Sequence, residues 1–170
     1  MIELIGIIIV FAILILAVVV LRSPKRQASR SLQYFCQESL LSPAERSFFG
    51  VLASAVGGEY VVVPKTRVAD ALMPRKGLSR AEWQRAFNKV SSKHFDYLVC
   101  RASTFEIVAA VELDDKSHRR ENRRQRDEFL AEATSSAGLP LLRFPAKEGY
   151  SLPQVRESFI TAVQRFSGAA

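Results

Sequence analysis

Cysteine is nearly missing from this chain: Cys36 and Cys100 are the whole supply, and their spacing forms no paired motif. A disulfide framework and a cysteine-built zinc site are thereby excluded, which suits a reducing compartment. Cys100 falls in an apolar run and reads as a small core hydrophobe. There is no internal repeat, no glycine-rich phosphate loop and no Ser/His/Asp arrangement. Acidic residues are also in deficit, 17 against 24 Lys and Arg, for a net charge of +7 and a pI near 9.8. Such a balance favours a polyanionic partner, either nucleic acid or an anionic membrane surface.

The chain opens on an apolar run, Ile2–Leu21, broken only by Glu3 and Gly6. Twenty helical residues rise about 30 Å, the thickness of a bilayer's hydrocarbon core. A cleaved secretory signal would need a basic stretch before the run and a small-residue cleavage site after it. Neither is present; Arg22, Lys25, Arg26 and Arg30 follow instead. The expectation is a retained single-pass anchor over residues 1–22 and a basic linker over 23–40. Positive charge after the span places the C-terminal part in the cytoplasm, as in a bacterial inner-membrane protein. The linker could touch anionic head groups or serve as a plain solvated tether. Residues 41–167 are then enough for one folded domain with a real core.

Within that domain, Phe95–Arg101 and Glu106–Asp114 read as two apolar strands. Ala102-Ser103-Thr104-Phe105 between them predicts a tight hairpin. A turn centred on Thr104 sets Asp96 opposite Glu112 and His94 opposite Asp114. All four then share a side with Leu98, Cys100, Val108 and Ala110, while Tyr97, Val99, Ala109 and Val111 pack on the other. Carboxylates facing across a strand pair repel, and burying them without a partner costs several kcal/mol more. A cation is therefore expected between them: a divalent metal held by oxygen ligands, or a Lys or Arg.

The rest alternates helix and strand. Ser42-Pro43-Ala44-Glu45 is a capping box that starts a helix carrying Phe48, Phe49, Leu52 and Val56, stopped by Gly57-Gly58. Glu59–Val63 is a strand, with Pro64 marking an edge or an end. Val68–Leu72 is a helical turn. Ser79-Arg80-Ala81-Glu82 opens a short helix through Phe87, with Trp83 and Phe87 one turn apart as a core pair or a base-stacking platform. Asn88–Lys93 is a loop. Arg119–Ala137 is a helix with Phe129, Leu130, Ala133 and Ala137 inward. Leu139–Phe144 is a strand, and Leu152–Phe166 a last amphipathic helix with Val155, Phe159, Ile160 and Val163 inward. A helix between strands implies a crossover, hence partly parallel pairing in a mixed sheet covered on both faces.

Asp96, then Glu112-Leu113-Asp114-Asp115-Lys116-Ser117-His118, then Arg126-Asp127 and Gly138-Leu139-Pro140-Leu141-Leu142-Arg143-Phe144, resembles the restriction-endonuclease-like PD-(D/E)XK superfamily. The likeness is to the branch near the very-short-patch repair endonucleases. That branch has an Asp ending one strand, then E-x-D-G-x-x-H, a basic helix with R-x-x-R-D, and a G-x-x-x-L-R-F strand. The resemblance covers roughly Leu41 to Tyr150. It implies an α/β fold, a restriction-endonuclease-like mixed sheet flanked by helices and here preceded by one transmembrane helix. It also implies a metal-dependent nuclease centre with Asp96 and Glu112 as ligands of Mg²⁺, or of Mn²⁺ in its place, and the Leu113 carbonyl beside them. Glu45 matches an acidic residue of the first helix that can join the metal; equally, it could simply close its capping box. The superfamily's Lys, two positions after the acidic residue, is Asp114 here, and Asp115 stands where the branch often has Gly. Lys116, His118 or Lys93 could supply the cation. Lys116 or His118 would assist proton transfer or charge stabilisation, and Asp114 would orient His94 or His118. Arg119, Arg120, Arg123, Arg124 and Arg126 would hold a phosphodiester backbone or form a solvated helix face. Three functions stay open: a membrane-tethered nuclease, a nucleic-acid-binding module of the same fold without the chemistry, and a membrane-associated interaction protein whose carboxylates are bridged by Lys or Arg.

Overall fold

Two apolar runs joined by a short turn are placed to pair with each other, and they do. In the computed structural model, which describes residue 6 and residues 13–16, 33–114 and 120–167 (120–127 and 167 by backbone alone), β2 (His94–Arg101) and β3 (Ile107–Asp114) form an antiparallel hairpin. Tyr97 pairs with Val111, Leu98 with Ala110 and Val99 with Ala109, the register expected. The ladder then shifts between Val99 and Cys100, so that Cys100 pairs with Ile107. The shift turns Val108 over to the face opposite the one expected. At the turn, Phe105 takes a left-handed backbone, φ 58°.

β1 (Tyr60–Arg67) lies antiparallel to β2, and β4 (Leu141–Pro145) lies parallel to β3, giving the order β1-β2-β3-β4. A parallel neighbour requires a crossover, and the helix between β3 and β4 supplies it. β1 continues through Pro64 instead of ending there. It can do so because it is an edge strand, where a missing N–H breaks no inner ladder.

Alternation along the strands sends side chains to two faces. One face carries Val62, Tyr97, Val99, Ala109, Val111 and Leu142 and is covered by α1 (Pro43–Val56). Phe48 of α1 is fully buried there, its ring centroid 5.0 Å from that of Phe144 and 4.6 Å from that of Tyr150. The C-terminal helix, Leu152–Ser167, adds Val155 and Phe159 to this face, while Ile160, expected inward, is exposed. The other face carries Leu98, Cys100 and Ala110 against α2 (Val68–Ala71), α3 (Arg80–Ser91) and α4 (Arg120–Ser136); the C-terminal helix is α5. α3 outruns the expected stop at Phe87 because Val90 continues its apolar side into this core. In α4, Phe129, Leu130 and Ala133 pack inward as expected, with Thr134 buried beside them, while Ala137 lies just past the helix end and is exposed.

Both capping boxes form as the spacing requires: Ser42 with Glu45, and Ser79 with Glu82. The chain divides into two units, Met1–Cys36 and Gln37–Ala170. In the first, residues 13–16 are helical with exposed apolar side chains. Among the described residues no helix is long and apolar enough to cross a membrane. Most of the run expected to span one lies outside the described residues.

Candidate active site

At the end of the hairpin away from the turn, the regular ladder stops at Tyr97 and Val111. Beyond it the Leu113 N–H donates not to a main-chain carbonyl but to Asp96 Oδ2, at 2.8 Å. Strand N–H groups point along the sheet, so the Asp96 carboxylate lies between the ends of β2 and β3. This differs from the expected placement on one face beside Leu98. Phe95 and Tyr97, two apart, pack into opposite cores, so the alternation of β2 breaks at Asp96.

The partner strand breaks at the same point. Pro64 pairs with Tyr97 and Thr66 with Phe95, which sets Lys65 opposite Asp96. Lys65 has φ 52°, a left-handed backbone that costs a residue with a Cβ about 1–2 kcal/mol. Its Nζ meets Glu45 Oε1 in a short contact and stands 3.6 Å from Asp96 Oδ1. Glu45 is fixed from its other oxygen as well: Oε2 accepts the Ser42 N–H at 2.8 Å. The Tyr97 hydroxyl donates to the Glu45 carbonyl at 2.7 Å, which ties the helix start to β2. Three elements, α1, β1 and β2, thus bring two carboxylates to one ammonium.

The electrostatics follow from that contact. Burial pushes Glu45 up, but hydrogen bonds from Lys65 and Ser42 outweigh it and hold the carboxyl below the usual range. Burial pushes Lys65 down, and Glu45 and Asp96 more than reverse it. The Tyr97 phenol is raised, first by burial and then by the two carboxylates.

β3 supplies the rest. Glu112 is the residue before the N–H that Asp96 captures, and it is buried, with 4% of its surface exposed. Its register neighbour on β4 is Arg143, which therefore lies on the same face of the sheet. Arg143 Nη2 stands 3.4 Å from Asp114 Oδ1. Glu112 and Asp114 alternate with Val111 and Leu113, so they face the α2–α3–α4 side.

Residues 37–163 match the family described as Protein of unknown function (DUF2726). The chain belongs to that family. No curated protein matches it, and no solved structure does. The DUF2726 match starts where the second compact unit starts and takes in all four strands, so Glu45, Lys65, Asp96, Glu112, Asp114 and Arg143 all belong to the DUF2726 domain.

Of the residues expected in the site, Glu45 and Asp96 come together through Lys65, and Glu112 and Asp114 stand on the adjoining strand beside Arg143. Lys93, one candidate cation, is turned away: its amine donates to the Lys89 carbonyl at 2.7 Å and lies over the Phe129 ring. His94 pairs across β1 with Arg67. Lys116, His118 and Arg119 lie outside the described residues. Arg120, Arg123, Arg124 and Arg126 fall on the first turns of α4, described by backbone alone. Among the described residues no group of three or more His, Cys, Asp or Glu side chains is placed to hold a metal ion.

Sequence reasoning missed Lys65 and Arg143. The signal was the one that exposed Asp96 and Glu112, a charge set within an apolar strand. Arg143 interrupts the apolar run Leu141-Leu142-Arg143-Phe144, and Lys65 follows a proline that reads as an edge or a strand end.

Proposed function

We propose that the DUF2726 domain of this chain is a PD-(D/E)XK-type centre for metal-assisted cleavage of nucleic-acid phosphodiester bonds, held at a membrane by residues 1–22 with the domain on the cytoplasmic side. The observation that carries the reading is the capture of the Leu113 N–H by Asp96 beside a buried Glu112. Strands that part at their ends to present two acids, next to a lysine held in a strained backbone, are costly to maintain for packing alone.

The donor set fits a hard divalent cation. Asp96, Glu112 and the Leu113 carbonyl are oxygen donors, and Mg²⁺ commonly takes one or two carboxylates and leaves its other positions to water and phosphate. Bound there, Mg²⁺ or Mn²⁺ would supply an activated water and stabilise charge at phosphorus. Lys65 and Ser42 engage the two Glu45 oxygens, and Lys65 and the Leu113 N–H engage those of Asp96, so in this reading a metal would share Asp96 with those partners while Glu45 holds Lys65. Lys65 in turn takes the role of the lysine that Asp114 displaces, placing an ammonium beside Asp96. Lys116 and His118 remain candidates for moving the proton, and the arginines at the start of α4 for holding the backbone.

The test is cleavage of supercoiled plasmid and of single-stranded oligonucleotides by the 170-residue chain, with Mg²⁺, with Mn²⁺ and with chelator. Metal-dependent cutting that disappears in Asp96→Asn and Glu112→Gln is the expected result. Cutting that survives both substitutions refutes the assignment.

A second reading is favoured by Lys65 itself. An ammonium already lies between Glu45 and Asp96, as a domain without chemistry would need. Such a module would bind nucleic acid without turnover, with affinity falling steeply as salt rises.

A further inference from the structure

A second concavity lies between α3 and the later half of α4, and none of the carboxylate-site residues lines it. It is a groove of about 650 Å³, within the range that encloses small organic ligands. From α3 its lining residues recur at i, i+3, i+4, i+7 and i+8 starting from Glu82, and from α4 at i, i+3, i+4 and i+7 starting from Phe129, with Ala137 just after the helix end. Eight residues of helix rise about 12 Å, so both helices wall the groove over that length. Ala86, Val90, Phe129 and Ala133 are the apolar residues that the two helices contribute to its lining. The loop before α3 brings Leu72, Met73 and Leu78 to one end, Met73 and Leu78 exposed to solvent.

The charges at the rim are uneven. Arg85 and Lys89 stand one turn apart on the same side of α3, both exposed. Glu82 is turned back onto its own helix start, its Oε2 accepting from the Ser79 N–H at 2.9 Å and the Ser79 hydroxyl at 2.6 Å. Arg75 donates to the Ser136 carbonyl at 3.5 Å and so serves the C-terminal end of α4. That leaves, among the lining residues, Arg85 and Lys89 against one carboxylate, Glu132, with the Lys89 ammonium 6.0 Å over the Phe129 ring.

We propose that this groove binds a single-chain amphiphile with an anionic head, of the medium-chain fatty-acid class. The carboxylate sits at Arg85 and Lys89, and the hydrocarbon lies along Ala86, Phe129 and Ala133 toward Leu72 and Leu78. The sign of the rim selects an anion, and the elongated apolar trough selects a chain over a compact ring. The site is independent of the nuclease reading, since it shares no residue with the carboxylate cluster.

The chain carries its own reporter: Trp83, its single tryptophan, lies on α3 and stacks on Phe87 with ring centroids 5.0 Å apart. Decanoate titrated into the 170-residue chain should change tryptophan emission saturably. Decanol should bind more weakly, and the pair Arg85→Glu with Lys89→Glu should weaken decanoate about tenfold or more without affecting decanol. Ala133→Phe should fill the trough and abolish both. The charge-reversal pair changes exposed side chains only, so far-ultraviolet circular dichroism should match that of the unaltered protein whatever becomes of Ala133→Phe. The proposal is overturned by no saturable response at millimolar decanoate. It is equally overturned if decanoate and decanol bind alike and charge reversal alters neither, as association with the apolar N-terminal run would give.

Discussion

Replacing Lys65 by Met removes the ammonium and keeps the stem. Its loss leaves Glu45 and Asp96, with side chains 16% and 17% exposed, turned toward one another with no cation between them. A hydrogen bond to a charged group contributes about 1.5–3 kcal/mol. The contact is only partly buried, so the lower half of that range applies and the expected loss is about 2 kcal/mol. In a domain of this size each kcal/mol moves Tm by about 4 °C, so Lys65→Met should melt about 8 °C lower. The backbone sharpens the test. Met inherits the left-handed strain at φ 52°, whereas Gly at that position escapes about 1 kcal/mol of it. Lys65→Gly should therefore be the milder change, although it deletes the whole side chain. Adding Glu45→Gln to Lys65→Met should recover about 1 kcal/mol, because the repulsion goes with the charge. Differential scanning calorimetry on the four proteins decides the matter. A Lys65→Met variant that melts with the parent, or a Gly variant less stable than the Met variant, would refute the reasoning.

Acid and alkali should erode the same contact from opposite sides. Glu45 is held below the ordinary carboxylate range, so its contribution is present above about pH 4.3 and fades as pH falls through the lowered folded value. Lys65 and Tyr97 are raised, so their contributions are complete below about pH 10 and fade as pH climbs through the folded values. Urea denaturation from acid to alkali should show both flanks in the parent and shallower ones in Lys65→Met. Phe48→Ala empties the space that Phe144 and Tyr150 pack around and should cost about 3–5 kcal/mol in chemical denaturation. If Mg²⁺ binds as proposed, a Mg²⁺-induced rise in Tm should vanish in Asp96→Asn and Glu112→Gln and persist in Arg85→Glu; a rise that survives in all three places the ion elsewhere.

Much of the framework could be read from residues because it rests on local rules. The Ser42 and Ser79 boxes follow from a hydroxyl three residues before a Glu, and both form. The hairpin register follows from keeping Tyr97, Val99, Ala109 and Val111 on one side, and it holds for the three pairs nearest the site. The parallel fourth strand follows from the helix before it. What escaped depends on breaks in alternation. Nothing local announces that Lys65 adopts a left-handed backbone, since the type is rare there for any residue with a Cβ. The flip at Asp96 answers that break on the neighbouring strand, so it could not be found from β2 alone. The shift after Val99 is likewise a property of a strand pair. The candidate site was legible in its acids, which look misplaced in apolar runs. Its bases were not, because Lys65 follows a proline that seemed to close the strand.

The twist at Lys65 has a consequence for the rim of the sheet. β1 is an outer strand, and a long flat outer strand is a template on which another molecule's backbone can add and seed filaments. Pro64 offers such a visitor no N–H, and the left-handed turn directly after it bends the ribbon off line. At the opposite border β4 is only five residues long and ends on Pro145. The distortion that aims an ammonium at two acids therefore also keeps neighbouring copies from zipping together along that border.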